Sequence, residues 1–227
     1  LSGLDDQVQR AAAQRSAMAL SIVYEDEHFF VVDKPSGLLS VPGRRSDTQD
    51  CVTHRIRHLY PDVTCSGIVH RLDMNTSGLL IVARHAESQR RLTQMFRKRA
   101  VQKRYEALLC GTVEADQGEI HLPLAQQGYE TLHQGVDHQQ GKPAHTRYRV
   151  LERSALHTRV EFEPVTGRTH QLRVHAASEE GLNAPILGDN LYHHTPQRAR
   201  LHLHARDLLF VHPYTGQQMH LCSEVPF

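Results

Sequence analysis

Short apolar runs alternate with polar turns along most of this chain, a pattern typical of a protein built mainly from strands. Residues 22–24 and 28–32 flank an acidic turn and predict two strands with a tight connection. The continuous apolar run at 77–83 predicts a buried strand. The remaining predicted strands lie at 105–113, 145–150 and 159–162, around 201–205, and in a last hairpin that turns at 213–216.

Three segments have the spacing of helices. A capping-box pair, Ser46 and Gln49, predicts the start of a helix that ends before Pro61. The apolar residues of the basic segment 84–104 also recur at helical spacing: Leu92, Met95 and Phe96. Residues 168–178 predict a third helix. Strands with a few interspersed helices indicate one α+β domain over residues 21–227, after a lead-in at 1–20 that is itself the possible end of a longer N-terminal region.

Composition excludes several classes of protein. The chain is 39% hydrophobic and 22% charged, which is ordinary for a globular domain and excludes collagen, coiled coil and wholesale disorder. Its longest apolar runs, such as 79–83, are far shorter than the roughly 20 residues that span a bilayer. The four cysteines are scattered and form no C-x-x-C pair, which favours reduced thiols. We therefore expect a cytoplasmic protein without a membrane span, and a monomer because no exposed heptad is present.

Charge is distributed unevenly along the chain. The formal net charge is +1, yet eight basic residues and one acid lie between Arg84 and Arg104, a local charge of +7. Such a segment fits a solvated helix face as well as a nucleic-acid-binding patch.

Two dense polar clusters adjoin apolar runs. The first, H-R-L-D-M-N-T-S-G at 70–78, places Asp73 beside Arg71 at the mouth of a buried strand. The second, T-G-R-T-H-Q-L-R-V-H at 166–175, would place Arg168 and Leu172 on one face of a helix. Each cluster alone also fits a structural role, as an ion pair at a turn or as a polar helix start.

Together with the loop K-P-S-G-L-L-S-V-P-G-R at 34–44, these clusters resemble the RluA family of pseudouridine synthases. Residues 70–78 match the family motif H-R-L-D-x-x-T-S-G throughout. Further matches are K-R-Y at 103–105, T-G-R-x-H-Q-L-R-V-H at 166–175 and P-I-L-G-D-x-x-Y at 185–192. The resemblance implies the pseudouridine synthase fold, a mixed and mostly antiparallel sheet with a central RNA-binding catalytic cleft.

The resemblance also implies roles for individual residues. Asp73 corresponds to the single catalytic aspartate, Tyr105 to the tyrosine that stacks on the target base, and Arg168 to the arginine that pairs with the aspartate. Residues implied to bind the substrate are Arg71, His70, Thr76 and, beneath the pocket, Leu203. Residues implied to hold the RNA backbone are Arg97, Lys98, Arg99, Lys103 and Arg104.

The implied reaction breaks the N1–C1′ bond of a uridine, rotates the base and reattaches it through C5. It needs no redox step and no phosphate hydrolysis, so we expect no metal, nucleotide or organic cofactor. A carboxylate begins it either by covalent attack or by removing a sugar proton to give a glycal, and both routes stay open. An adjacent guanidinium keeps that carboxylate ionised. Extruding the uridine costs a few kcal/mol, and a stacking tyrosine returns about 1–3 kcal/mol.

The expected substrate is a uridine in structured RNA. Members of this branch, which lacks an N-terminal S4-type domain, modify large-subunit ribosomal RNA and in some cases the tRNA anticodon stem-loop. Segment 126–142 matches no motif, and a loop there is a candidate for changing which RNA the protein prefers. No obligatory protein partner is expected.

Two other hypotheses compete with the hypothesis of an enzyme of this family. The first is a catalytically silent RNA-binding module of the same fold. The second is a metal-dependent hydrolase, which the 18 histidines suggest, since His202 and His204 would share one strand face. No H-E-x-x-H or finger spacing occurs, so we expect the histidines on a solvent or RNA-facing surface instead.

Overall fold

The computed structural model describes residues 19–43, 48–128, 132–193 and 199–227. The strands are β1 (Ser21–Glu25), β2 (Phe29–Lys34), β3 (Ser77–Ala83), β4 (Gln102–Cys110), β5 (Gln117–His121), β6 (Leu124–Gln126), β7 (Gln134–Val136), β8 (His145–Arg153), β9 (His157–Pro164), β10 (Leu203–Val211) and β11 (Gln218–Cys222). The helices are α1 (Val52–Leu59), α2 (Ala86–Arg97) and α3 (Gln171–Ala177). Among the described residues, no helix is long and apolar enough to cross a membrane. The predicted lead-in lies outside these residues except for its last two.

Nine of the strands form one mixed sheet. Its order is β1-β2-β3-β10-β4-β9-β8-β5, with β11 joined to β10, and β6 and β7 form a separate hairpin. The β3–β10 pair is parallel, whereas the other named pairs are antiparallel. The predicted α+β fold with a mostly antiparallel sheet is confirmed.

The central strand β3 is buried on both faces, which explains its unbroken apolar run. On one face, Leu79 and Ile81 pack with Leu92 of α2. On the other face, Leu80 and Val82 pack with Ile56 of α1. A further cluster of buried residues lies between β4, β9 and α3. The strand predicted at 77–83 has those bounds in the structure, whereas β4 begins and ends three residues before the predicted 105–113.

Two predicted helix starts are wrong. Helix α1 begins at Val52, because the Sγ of Cys51 caps it by accepting the His54 N–H at 3.4 Å. Gln49 is not helical, and Ser46 lies outside the described residues.

Helix α3 begins at Gln171 rather than at 168, after His170 in the left-handed conformation with φ of 54°. The Oε1 of Gln171 accepts hydrogen bonds from the Thr166 hydroxyl at 2.7 Å and the Arg168 N–H at 2.9 Å. These bonds fold residues 166–168 back over the first turn as a loop. Arg168 therefore does not share a helical face with Leu172.

Gly78 permits the parallel contact between β3 and β10. Its φ is +110°, and a Cβ at this position would lie 2.3 Å from the carbonyl oxygen of Ala205. Ala205 pairs with Gly78 on one side and with Tyr105 of β4 on the other. The loop that precedes β3, which carries Asp73, is thereby brought beside Tyr105.

We expect Gly78→Ala to lower the free energy of unfolding by about 3 kcal/mol, because it combines a left-handed φ with a clash against backbone. The matched control is Gly111→Ala, where φ is +94° but no atom lies within 4 Å of the added Cβ. In that control the free energy of unfolding should fall by only about 1–2 kcal/mol. Urea denaturation measures both, and equal losses would contradict the close-approach explanation.

Candidate active site

Hydrogen bonds from the last residue of β2 and from the loop after it hold both peptide neighbours of Asp73. The Nζ of Lys34 donates to the Met74 carbonyl at 2.9 Å. The hydroxyl of Ser40 donates to the Leu72 carbonyl at 2.7 Å and accepts the Leu72 N–H at 3.0 Å. The backbone on each side of Asp73 is therefore fixed without using its carboxylate.

Lys34 is fully buried although it carries an amine. Its three donor positions are used by the carbonyls of Pro35 at 3.0 Å, Leu38 at 2.7 Å and Met74 at 2.9 Å. Burial lowers the pKa of Lys34 to about 7, while the charge of Asp73 opposes that shift. The role of this lysine was not predicted from the sequence, where the available signal was a lysine at the end of a strand with an otherwise buried face.

The carboxylate of Asp73 is partly open, with 30% of its side chain exposed. Its Oδ2 lies 3.6 Å from Nη1 of Arg173 and 3.8 Å from Nε2 of His170. A cation and an imidazole thus approach one oxygen of a carboxylate that a ligand can still reach.

Arg173 is buried within α3 and held by Asp189. Two parallel bonds join them, Nε to Oδ2 and Nη2 to Oδ1, each of 2.7 Å. The guanidinium carbon lies 5.1 Å from the ring centre of Tyr192. Although burial opposes the charge, the carboxylates of Asp189 and Asp73 raise the pKa of Arg173. The remaining nitrogen, Nη1, presents a positive charge to Asp73.

The predicted ion pair between Arg168 and Asp73 is therefore corrected. Arg168 is exposed in the loop before α3, and its Nε donates to the carbonyl of Pro143 at 3.0 Å. Arg173, five residues later in the same motif, makes the contact instead. The signal that identifies Arg173 is an arginine between Leu172 and Val174 inside a buried helix, since a buried charge requires a partner.

A hydrogen-bond chain links His170 to segment 126–142. The hydroxyl of Tyr192 accepts the N–H of Gln134 in β7 at 2.9 Å and lies 2.7 Å from Nδ1 of His170. If Tyr192 donates its proton to Nδ1, Nε2–H of His170 faces Asp73. Burial lowers the pKa of His170, and Asp73 opposes the shift. The segment without a motif thus contacts the site, a connection that sequence reasoning missed.

Tyr105 lies in β4 between two core clusters. It packs against the buried cluster that contains Leu203 and against the cluster that contains Leu72. Burial, aided by the charge of Asp73, raises the pKa of Tyr105 well above its usual value, so its hydroxyl stays protonated. The structure therefore places Tyr105 within reach of the charge of Asp73 and against the cluster that contains Leu203.

Two of the predicted substrate contacts have structural partners. The Nε2 of His70 accepts the Ile81 N–H at 2.9 Å, and its ring stacks on Phe96 with 4.3 Å between ring centres. Burial lowers the pKa of His70 to about 3, and Lys103 adds to the shift. Thr76 is buried, and its N–H donates to the Asp73 carbonyl at 3.1 Å. Arg71 is exposed next to them.

The basic segment divides into paired and exposed cations. Arg84 forms ion pairs with Glu25 and Asp62, and both Arg90 and Arg91 pair with Glu87. The exposed cations directly follow Phe96 at the end of α2: Arg97, Lys98 and Arg99.

Lys103 and Arg104 are only partly exposed in β4. Burial lowers the pKa of Lys103, and a Cβ at Gly167 would lie 3.8 Å from its Nζ. Lys103 is therefore next to the T-G-R loop rather than on a solvated face.

Comparisons with known proteins agree on one family. The family model described as RNA pseudouridylate synthase matches residues 28–178. The dual-specificity RNA pseudouridine synthase RluA of Yersinia pestis is 42% identical over 210 residues, which cover 91% of this chain and 99% of that protein. The protein of the same name in Escherichia coli (strain K12) is 45% identical over 204 residues, 88% of this chain and 90% of that protein. The solved structure of human RNA Pseudouridylate Synthase Domain Containing 1 has a TM-score of 0.75 and 31% identity, covering 92% and 85% of the two chains.

We expect Arg173→Gln to lower the free energy of unfolding by about 3–5 kcal/mol, because it leaves the charge of Asp189 buried and unpaired. Adding Asp189→Asn should recover part of that loss by removing the charge. Arg168→Gln, at an exposed position, should change stability by less than about 0.5 kcal/mol. Urea denaturation of the three variants tests this, and a loss in Arg168→Gln as large as in Arg173→Gln would refute the assignment.

Acidification is expected to destabilise the protein through His70. Its pKa is about 3 in the folded chain and 6.5 ordinarily, so between these values the unfolded chain binds more protons and the stability decreases as the pH is lowered. From pH 7 to pH 5 this amounts to about 2 kcal/mol. The loss of free energy of unfolding between pH 7 and pH 5 should be smaller by that amount in His70→Gln, whose amide oxygen can still accept the Ile81 N–H. It should be unchanged in His58→Gln, on the surface of α1. Urea denaturation at the two pH values measures it, and an unchanged drop in His70→Gln would contradict the prediction.

Proposed function

Because the chain belongs to the RNA pseudouridylate synthase family and is an RNA pseudouridine synthase, we propose that Asp73 is the carboxylate that starts the isomerisation of uridine. The observation that carries this proposal is the combination of a fixed backbone around Asp73 with a partly open carboxylate beside the buried cation of Arg173. A group that must react with a substrate needs both a set position and an unoccupied oxygen.

The contacts with Arg173 and His170 both involve Oδ2 of Asp73, so we assign Oδ1 to the substrate. An ionised carboxylate serves either first step, covalent attack or removal of a sugar proton. In both routes the N1–C1′ bond breaks, a C5–C1′ bond forms, C5 gives up its proton and N1 gains one. The product is an isomer of the substrate, and no cofactor enters the balance.

Tyr105 and Leu203 form the surface on which we place the extruded base. Tyr105 stays neutral and offers an aromatic face, and its ring packs against the buried cluster that contains Leu203. Stacking on such a ring is worth about 1–3 kcal/mol, which offsets much of the cost of taking the base out of its helix.

The exposed cations Arg97, Lys98 and Arg99 are assigned to the RNA backbone. Phe96, their neighbour in the chain, stacks on His70 of the Asp73 loop, which brings these cations close to the site. Arg71 is exposed in that loop itself. Phosphate contacts of this kind fix the position of the RNA without reading its sequence.

The proposed substrates are uridines in large-subunit ribosomal RNA and in the tRNA anticodon stem-loop. The bacterial relatives carry the name dual-specificity, which supports action on more than one RNA. We propose a monomeric enzyme that acts in the cytoplasm and needs no protein partner.

A catalytically silent RNA-binding module is disfavoured by the same geometry. RNA is a polyanion, and an ionised carboxylate in the cleft repels it. A module that only binds RNA has no use for Asp73 held open beside Arg173.

The test is the formation of pseudouridine on unmodified ribosomal RNA and tRNA by wild type, Asp73→Asn and Asp73→Ala. New sites are mapped by pseudouridine-specific carbodiimide modification. We expect both variants to lose about 1,000-fold or more of the rate while still binding RNA, because the reacting group alone is removed. The matched control is Asp116→Asn, an exposed aspartate that pairs with Arg153.

Pseudouridine formation by Asp73→Asn at the wild-type rate would overturn the assignment of Asp73. Binding of both RNAs by wild type without any new pseudouridine would instead overturn the proposed substrates.

A further inference from the structure

Strands β10 and β11 bring three metal-ligating side chains together on one face of the sheet. Asp207 and Cys222 are paired across the two antiparallel strands, and His220 lies two residues before Cys222 on the same face. The Oδ1 of Asp207 is 2.8 Å from Nε2 of His220 and 3.3 Å from Sγ of Cys222, and the last two atoms are also 3.3 Å apart. One oxygen, one nitrogen and one sulfur thus form a closed triangle.

The size of this triangle suits a tetrahedral ion. Zinc bonds of about 2.0–2.3 Å place neighbouring donor atoms about 3.3–3.6 Å apart. Each side of the triangle would need to widen by at most about 0.6 Å. The side chains of His220 and Cys222 are exposed and can make that adjustment by rotation.

The carboxylate is held in position before any ion binds. The side chain of Asp207 is only 6% exposed, and its Oδ2 accepts a bond of 2.6 Å from Nε of Arg206. Arg206 is itself anchored by Glu106 at 3.0 Å and Glu161 at 2.9 Å. Oδ1 is therefore directed at His220 and Cys222 by a network outside the triangle, as outer hydrogen bonds orient ligands in metal sites.

We propose that Asp207, His220 and Cys222 bind one divalent ion of the zinc type, with water as the fourth ligand. The donors are a carboxylate, a neutral imidazole and a thiolate, so the thiol of Cys222 releases its proton to solvent when the ion binds. A sulfur and a nitrogen donor favour Zn²⁺ or Co²⁺ over Mg²⁺ and Ca²⁺. The ion fastens β11 to β10 and takes no part in the isomerisation.

A second cluster, Glu119, His121 and His145, serves as the internal comparison. Both imidazole Nε2 atoms lie 3.1 Å from Oε2 of Glu119. The side chain of Glu119 is 48% exposed and its other oxygen pairs with Arg147, so this carboxylate is less firmly placed than Asp207. The cluster contains no sulfur, and a thiolate signal therefore separates the two sites.

The experiment is a titration of the reduced, metal-free full chain with Co²⁺. We expect a near-ultraviolet thiolate-to-cobalt charge-transfer band that saturates at one equivalent. The band should vanish in Cys222→Ala, weaken in His220→Ala, and persist in His121→Ala and in Cys65→Ala. Zn²⁺ at about 100 times its dissociation constant should raise the Tm of wild type by about 5 °C and leave that of Cys222→Ala unchanged.

Several results would overturn the proposal. One is the absence of a charge-transfer band at stoichiometric Co²⁺, which would mean that the triangle is a hydrogen-bond network only. Another is a band that survives Cys222→Ala or disappears in Cys65→Ala. A rise in Tm with Zn²⁺ that depends on His121 instead of Cys222 would assign the binding to the second cluster.

Discussion

A buried guanidinium is the constraint on which the arrangement of the site depends. Arg173 lies inside α3, and a charge in that position is strongly disfavoured unless a partner is buried with it. Asp189 supplies the partner and takes two of the guanidinium nitrogens. The third nitrogen then faces Asp73. The segment that carries Asp189, the helix that carries Arg173 and the loop that carries Asp73 must therefore fold against one another for the charge to be satisfied.

Asp73 itself is positioned by its neighbours. The bonds from Lys34 and Ser40 reach the backbone of Met74 and Leu72, and Gly78 lets β3 approach β10 closely enough to bring Tyr105 alongside. These bonds restrain the main chain of the loop on both sides of Asp73. They do not involve the carboxylate, which agrees with the role proposed for Asp73. Because the residues at 34–44 fix the backbone around Asp73, the K-P-S-G loop accompanies the Asp73 motif.

The histidines of this chain differ in burial and in the groups that they contact. The expectation that they lie on a solvent or RNA-facing surface is wrong for His175 and His204, which are buried. His175 contacts Thr146, and His204 lies between the hydroxyls of Ser77 and Ser223. Burial lowers the pKa of both, so they act as neutral hydrogen-bonding groups. His202 precedes β10 and does not share a strand face with His204. Three exposed histidines, in contrast, lie beside carboxylates: His121 beside Glu119, His138 beside Glu180 and His220 beside Asp207.

The sequence by itself determined the elements whose signal is local and the residues that stand in a continuous motif. The apolar run of β3 and the helical spacing of α2 report burial directly, and the motifs predicted roles for Asp73 and Tyr105. Only the tertiary structure decided that Arg173 replaces Arg168, that Tyr192 and Gln134 reach the site, and that Asp207 meets His220 and Cys222. Periodicity states which faces of an element avoid water. Which distant group neutralises a buried charge depends on how loops fold back, as Gln171 shows by drawing residues 166–168 out of the helix.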